Sequence, residues 1–510
     1  MNTQFSPSHA TKAIYEELKK VYALRSPKEK CKHLDLVIST FSLRDLADVL
    51  PNIINNIFDP TQDWGFRSVL SYSENSVKHT INAFFRPTGH LLLSILQIDL
   101  IGNWNYQYPF ASLPEAVRKS VLQGRIPQFY QGKLHVVSLD KLSDYILLTP
   151  FDYFIFSLFN YIASSSSQLN NYWQDPNCFF VELFQEYLNF FLPPFHGSQN
   201  VDVRNLFFLL NGKNNGNSPH IRSSQFKYND SELTLIQRYS LSFIEIFAHM
   251  VLCQEATEDP LLQRDIYPLV YSQDHLRIVR NFIKHVHYFT NSFYDKSVHQ
   301  RSTHLVSISQ NAVEDLYKTA LDDYIVKPFY NLLIRTLHTW SANWSYRLLL
   351  ETWLSFIQPW RYASPSVDIE RRAANPKFVF AYLPFYTQVF IEFLPHFLRI
   401  DLTQNRNVDM LYRLTKVYSE NNLKEFIKES EDILLKSNDS PTSHLKSSHF
   451  NNLTSNVSLS FSSSYNMPTL STSFASQYKP SSSLFAEKNI RTVSLNNPLQ
   501  FEKYFTFTSL

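Results

Sequence analysis

Glycine is the residue this chain does almost without. Only eight occur in 510 positions, and the last is Gly216. Tight β-turns, and loops that cradle a phosphate on backbone N–H groups, need residues at positive φ, which glycine supplies without steric cost. The composition therefore excludes a Gly-rich phosphate cradle beyond residue 216. It fits helices, whose interiors have no use for glycine. An apolar share of 44%, with 42 Phe and 29 Tyr, supplies a sizeable aromatic core. The length allows two or three ordinary domains or one extended helical array.

Charge and cysteine content narrow the partners. The formal net charge is +2 and no strongly basic cluster stands out, so nucleic acid is not an expected partner. Cys31, Cys178 and Cys253 are widely spaced and odd in number, which argues against a disulfide framework or structural zinc and suits a reducing compartment. The polar start Met1-Asn-Thr-Gln-Phe-Ser lacks the pattern of a secretory signal. The most apolar stretch, residues 151–163, is 13 residues long, whereas a membrane-spanning helix needs about 20. It reads as a buried or interfacial helix. No Gly-x-Ser-x-Gly elbow, P-loop or HExxH motif occurs, which disfavours serine hydrolases, nucleotidases and zincins.

In chain order, helices are expected over residues 11–21 and 34–58. Ser42 caps the later part of the second region with Asp45 three residues on, and Leu43, Leu46, Leu50, Ile53, Ile54 and Ile57 form its apolar stripe. Pro51 is expected to kink or restart it. Residues 75–110 change period. Val77, His79, Ile81 and Ala83 alternate, Pro87-Thr88-Gly89 supplies a turn, and Trp104, Tyr106, Tyr108 and Phe110 alternate again. This pattern predicts a small antiparallel β-meander. Ser112-Leu113-Pro114-Glu115 opens a helix that ends at Gly124, and Thr149-Pro150-Phe151-Asp152 opens the Phe/Tyr-rich one, with Asp152 in its first turn. A further aromatic helix over 178–192 ends at Pro193-Pro194.

Four regions follow from this reading. Residues 1–192 form an N-terminal helical region with a β insert, and 193–230 a flexible linker. Residues 231–436 form a C-terminal helical array, and 437–510 a disordered Ser/Thr/Asn-rich tail whose Phe residues are either docking motifs or inert. The fold class is mainly α, a helical stack of α-solenoid type without a strict repeat.

Catalytic candidates are few: His285, His287 and Asp152. Two residues apart on a helix, the histidines point about 200° from one another, so they cannot act as an i, i+4 metal pair. Structural roles for both remain the favoured alternative. Asp322-Asp323, ahead of Lys327 and Arg335, reads as a solvated charged face. No metal-ligand set is evident from spacing.

The remaining feature is Trp353-Leu-Ser-Phe-Ile-Gln-Pro-Trp-Arg-Tyr362. It closes an amphipathic helix that starts near Trp344, and Pro359 stops that helix. Two tryptophans, an arginine and a tyrosine gather at the stop, and a packed corner is favoured over a catalytic site. The stretch resembles the signature of the type-4 sphingomyelin phosphodiesterase family, also called neutral sphingomyelinase 3, with Trp353, Gln358, Pro359, Trp360, Arg361 and Tyr362 as the signature residues. Leu50–Phe58, Ser112-Leu113-Pro114, residues 148–156 and Lys284-His285-Val286-His287 resemble the same family. The resemblance implies Mg²⁺-dependent, phospholipase C-type hydrolysis of sphingomyelin to ceramide and phosphocholine. The expected setting is the cytoplasmic side of the endoplasmic reticulum and nuclear envelope, with a membrane sphingolipid or membrane surface, and proteins of the nuclear envelope or pore, as partners. A second reading, a non-catalytic helical scaffold at the nuclear envelope, stays open. Bacterial-type neutral sphingomyelinases work on a two-sheet β-sandwich, for which this chain lacks the strands, so a hydrolase site here is expected to be of another kind. Animal members of the family end in a hydrophobic anchor. This chain ends in a polar tail, so peripheral docking is expected.

Overall fold

Phe41 ends one helix and Ser42 starts the next. The Ser42 hydroxyl accepts the Asp45 N–H at 3.3 Å and donates to the Asp45 carboxylate at 2.5 Å, which opens α3 (Leu43–Ile57), one residue after the Phe41 N–H closes α2 (Pro27–Thr40) on the Val37 carbonyl. Leu46, Leu50, Ile53, Ile54 and Ile57 face inward as their spacing predicts, and α3 runs through Pro51. With α1 (His9–Ala23) these helices make the first layer. The computed structural model describes residues 9–66, 75–102, 104–135, 145–168, 179–193, 230–253, 273–299, 316, 319–340, 346–362 and 373–438. The expected linker, 193–230, lies outside these except at its ends, and so does the expected tail beyond residue 438. Residues Met1–Asp439 form one unit, and all the described residues belong to it.

The β-meander expected over 75–110 is corrected in most of its length. Asn75–Phe85 is a helix (α4), His90–Ile101 is a second (α5), and only Tyr106–Pro109 is a strand (β1). Ile81, Phe84 and Phe85 are buried on α4, and Leu91, Leu92, Ile95, Leu96, Ile98 and Asp99 on α5. That is a helical period, and twelve residues suit a helix better than a strand. Pro87-Thr88-Gly89 does turn the chain, but between two helices. A side chain at Gly89 would collide with the carbonyl oxygens of Ala83 and Phe84. The antiparallel partner of β1 is β2 (Tyr145–Leu148), paired Tyr106 to Leu148 and Pro109 to Tyr145.

Between the strands lies α6 (Glu115–Leu122). Pro114 occupies its N-cap position and makes no side-chain cap bond, so Ser112 does not cap this helix. Its C-terminus behaves as expected. Gly124 is left-handed at φ 73°, and Gly124 and Arg125 donate their N–H groups to Val121 and Ser120 in a Schellman closure.

The core is organised on α7 (Pro150–Gln168). Phe151, Phe154, Ile155, Phe156 and Phe159 are all at most 1% exposed. Its sides meet α3, α5, both strands, α8 (Phe179–Phe191), and α9 (Asp230–Phe247) with the π-turn Ala248–Leu252 that extends it. The long α10 (Gln273–His299) packs against α7 and α8 on one side and α12 (Tyr346–Phe356) on another. Around α12 stand α11 (Val326–Thr339), the 3-10 turn Pro359–Tyr362, and the broken helix made of α13 (Pro376–Ala381), α14 (Leu383–Tyr386) and α15 (Gln388–Phe397). α16 (Asn405–Tyr418) and α17 (Leu423–Asn438) close this group. The mainly helical architecture with one small antiparallel sheet agrees with the fold class expected.

Candidate functional site

The N-terminus of α7 forms one wall of a cleft of about 550 Å³. Thr149 caps the helix: its hydroxyl accepts the Asp152 N–H at 3.3 Å and its carbonyl the Tyr153 N–H at 2.8 Å. The Phe151 N–H donates to the Asp99 carboxylate, 3.2 Å away at the end of α5, so a negative charge sits at the positive end of the α7 dipole. The Asp99 side chain is wholly buried and also accepts from Arg238 at 2.7 Å and from the Tyr239 hydroxyl at 3.0 Å. One carboxylate thus ties α5, α7 and α9 together.

Asp152 faces the same cleft and pairs with Lys133 at 3.0 Å. The Lys133 ammonium lies 3.4 Å from the centre of the Phe129 ring. Glu245, two helical turns from Arg238 on the same side of α9, completes the group. Its carboxyl is pushed up to about 7 by burial, with Asp152 acting in the same direction and Lys133 against them. Both its protonated and its ionised form are therefore accessible near neutral pH. Arg238 keeps 44% of its side chain exposed and Lys133 27%, so both cations reach solvent from the cleft. The chemistry available is a carboxyl group that takes or gives a proton near neutrality, beside two cations able to face an anionic oxygen.

Asp152 alone among the sequence candidates lies here. His285 is buried against the end of α8, where its Nε2 meets the Leu192 carbonyl at 2.8 Å and its Nδ1 meets Gln185 at 3.3 Å. His287, buried on another side of α10, stacks on the Tyr362 ring with an interplanar angle of 3°. Burial lowers both, His287 to about 4, so each is a neutral packing residue at pH 7. Asp322 accepts the Tyr382 hydroxyl, which ties part of that acidic pair to α13's C-terminus.

The signature segment is a packed corner. Trp353 is fully buried, stacks on Phe393 at 4.7 Å and donates its indole N–H to the Phe385 carbonyl at 2.9 Å. Gln358 donates to Leu354, Asn291 donates to the Pro359 carbonyl, and Tyr386 donates to the Ile357 carbonyl. Trp360 is half-buried and Arg361 exposed, bonded to Gln358 at 3.4 Å. His287 and Tyr288 both pack their rings against Tyr362, so the corner is held by these aromatic contacts together with Trp353.

Asp99, Lys133, Arg238 and Glu245 were not singled out from the sequence. The one local signal is at Glu245, a lone carboxylate in the apolar run Leu241-Ser-Phe-Ile-Glu-Ile-Phe247.

Magnesium, implied by the resemblance, prefers several oxygen ligands in a near-octahedral set. Among the described residues no three of His, Cys, Asp and Glu stand close enough to hold an ion. Asp99 and Asp152 are already bound by Arg238, Tyr239 and Lys133.

A family model, Mitochondrial-associated sphingomyelin phosphodiesterase, matches residues 11–233 and 235–479. Sphingomyelin phosphodiesterase 4 of Xenopus laevis is 26% identical over 468 residues, 80% of this chain and 56% of that protein. The proteins of the same name from Mus musculus and Homo sapiens are 23% and 24% identical over 472 residues, again 80% of this chain, covering 56% and 54% of theirs. The chain thus spans about half the length of the curated relatives it matches. No solved structure matches. With the match running through nearly all of the helical unit, the chain belongs to the mitochondrial-associated sphingomyelin phosphodiesterase family.

Proposed function

We propose that this protein hydrolyses the phosphodiester of a sphingomyelin-like sphingolipid, in the manner of a phospholipase C, at the cleft in front of α7. The observation that carries the reading is Glu245, a carboxyl raised to about 7 beside Lys133 and close to Arg238. Family membership supplies the substrate class. Glu245 in its carboxylate form takes a proton from water, and that water's oxygen forms a new bond to phosphorus. The bond from phosphorus to the ceramide oxygen breaks, and this oxygen takes a proton from solvent at the open side of the cleft. The products are ceramide and the phosphorylated head group. Lys133 and Arg238 face the non-bridging oxygens, whose charge grows in the transition state. Asp152 and Asp99 position these two cations.

The proposed setting is the cytoplasmic face of the endoplasmic reticulum or nuclear envelope, by peripheral attachment. Among the described residues no helix is long and apolar enough to cross a membrane. The test is release of head group from sphingomyelin liposomes by the purified protein, with Mg²⁺ and with EDTA. Release that co-purifies with the protein supports the reading, and the EDTA arm reports whether a metal takes part. A second reading, a non-catalytic helical scaffold at the nuclear envelope or pore, is favoured by one observation: the signature segment, with His285 and His287, goes into packing. A folded, liposome-bound protein that releases nothing would establish that second reading over the first.

A further inference from the structure

The corner where α10, α12, α16 and the Pro359–Tyr362 turn meet carries more positive charge than its packing needs. Glu351 on α12 has a side chain only 9% exposed, and it is held by two arginines. Arg280 of α10 reaches it at 2.7 Å, and Arg413 of α16 binds its other oxygen. A second arginine already exceeds the charge of one carboxylate. Lys284 stands one helical turn from Arg280 on the same face of α10. It is half-buried, and among the described residues no hydrogen-bonding partner takes its ammonium. Its proton is loosened to about 8, by burial first, then by Arg280, with Glu351 acting the other way and Arg361 adding to the repulsion. Arg361 adds a fourth cation, exposed and, among the described residues, bonded through its guanidinium only to the neutral Gln358. Neutral hydroxyls line the same place and help to hold Arg280. Ser355 accepts from the Arg280 Nε at 3.3 Å and donates to the Glu351 carbonyl at 2.7 Å, and the Tyr362 hydroxyl is bonded to Ser355.

Four cations around one buried carboxylate leave three uncompensated charges if all are protonated. Surface charges that repel one another usually spread into solvent. Here α10 and α12 hold two of them partly dry, a cost that an anion with several oxygens would offset. We infer that Arg280, Lys284, Arg361 and Arg413 form a binding site for a phosphate group, separate from the α7 cleft. Glu351 fixes Arg280 and Arg413 in place, and Lys284 and Arg361 supply the contacts that packing leaves open. The phosphate has two available sources, a soluble ion or ester and the head group of a membrane lipid.

The experiment uses the full chain and two variants, Lys284→Gln and Arg361→Gln, each checked for an unchanged melting temperature without ligand. Inorganic phosphate is titrated by calorimetry, and vesicles of phosphatidylcholine, with and without phosphatidylserine, are tested by co-sedimentation. Each lost cation should weaken phosphate binding about tenfold, the size expected for one charge-assisted hydrogen bond. If vesicle association falls with the same variants, the source is a lipid head group. If only inorganic phosphate responds, the source is soluble. Wild-type protein that takes up no phosphate, or variants that bind it as wild type does, would overturn the site. Head-group release at the α7 cleft is read separately, through Glu245.

Discussion

Trp353 and Trp360 are seven positions apart in the signature, yet the structure treats them differently. Trp353 lies on the apolar stripe of α12 and is wholly enclosed, whereas Trp360 sits beyond Pro359, where helical spacing no longer says which way a side chain points. Trp353→Ala should cost about 3–5 kcal/mol in urea denaturation, as loss of a large buried aromatic does, and Trp360→Ala clearly less. Equal losses would show that the corner is packed otherwise. Titration gives a second prediction at this scale. His249, His275 and His287 are each lowered by burial to about 4, so between about 6.5 and 4 the unfolded chain binds protons that the folded chain refuses. Their contribution is fully present above about 6.5 and is lost as pH falls through that window, by up to about 3 kcal/mol for each group. Glu245 works in the opposite sense. Raised from 4.5 to about 7, it keeps a proton that the unfolded chain has released, so its contribution declines as pH rises between those values. Thermal melts at closely spaced pH should therefore show stability falling steeply below about pH 6, less steeply in His275→Gln if that variant folds.

At the scale of elements, the helix starts and stops were the legible part. Ser42, Gly124 and the Thr149-Pro150 start act through neighbours a few residues away, and a sequence contains those neighbours. The β-meander failed where two periods overlap. Val77, His79, Ile81 and Ala83 alternate, but Ile81, Phe84 and Phe85 also recur at helical spacing, and packing of α4 against α2, α5 and α8 decides for the helix. The partner of β1 lies some forty residues on, a pairing that no local pattern shows. The same limit hid the cleft. Asp152 was visible because it opens a helix, while Lys133, Arg238 and Asp99 matter only once a turn, α9 and α5 have come together. Asp99 is the element-scale test of that arrangement. It holds the Phe151 N–H of α7, Arg238 and Tyr239 at once, so Asp99→Ala strips three donors of a shared acceptor. A loss of about 3–5 kcal/mol in chemical denaturation is expected, as when one member of a buried ion pair is removed. A loss under about 1 kcal/mol would mean that α5, α7 and α9 are held by their apolar faces alone.

For the whole molecule, the family match and the helical unit coincide over most of their length, and the cleft in front of α7 is where that unit gathers titratable groups suited to phosphodiester chemistry. The long signature serves the packing of another corner, so this conspicuous motif does not point to the cleft proposed for the reaction. The central claim is that Glu245 is the proton acceptor of the hydrolysis. The measurement that tests it most directly is head-group release from sphingomyelin liposomes by wild type and Glu245→Gln across pH 5 to 9. The account predicts that wild-type release rises with pH through about 7, and that the variant, folded and liposome-bound, loses it by at least about a hundredfold at every pH. A folded variant that releases head group at the wild-type rate with the same pH profile would contradict it.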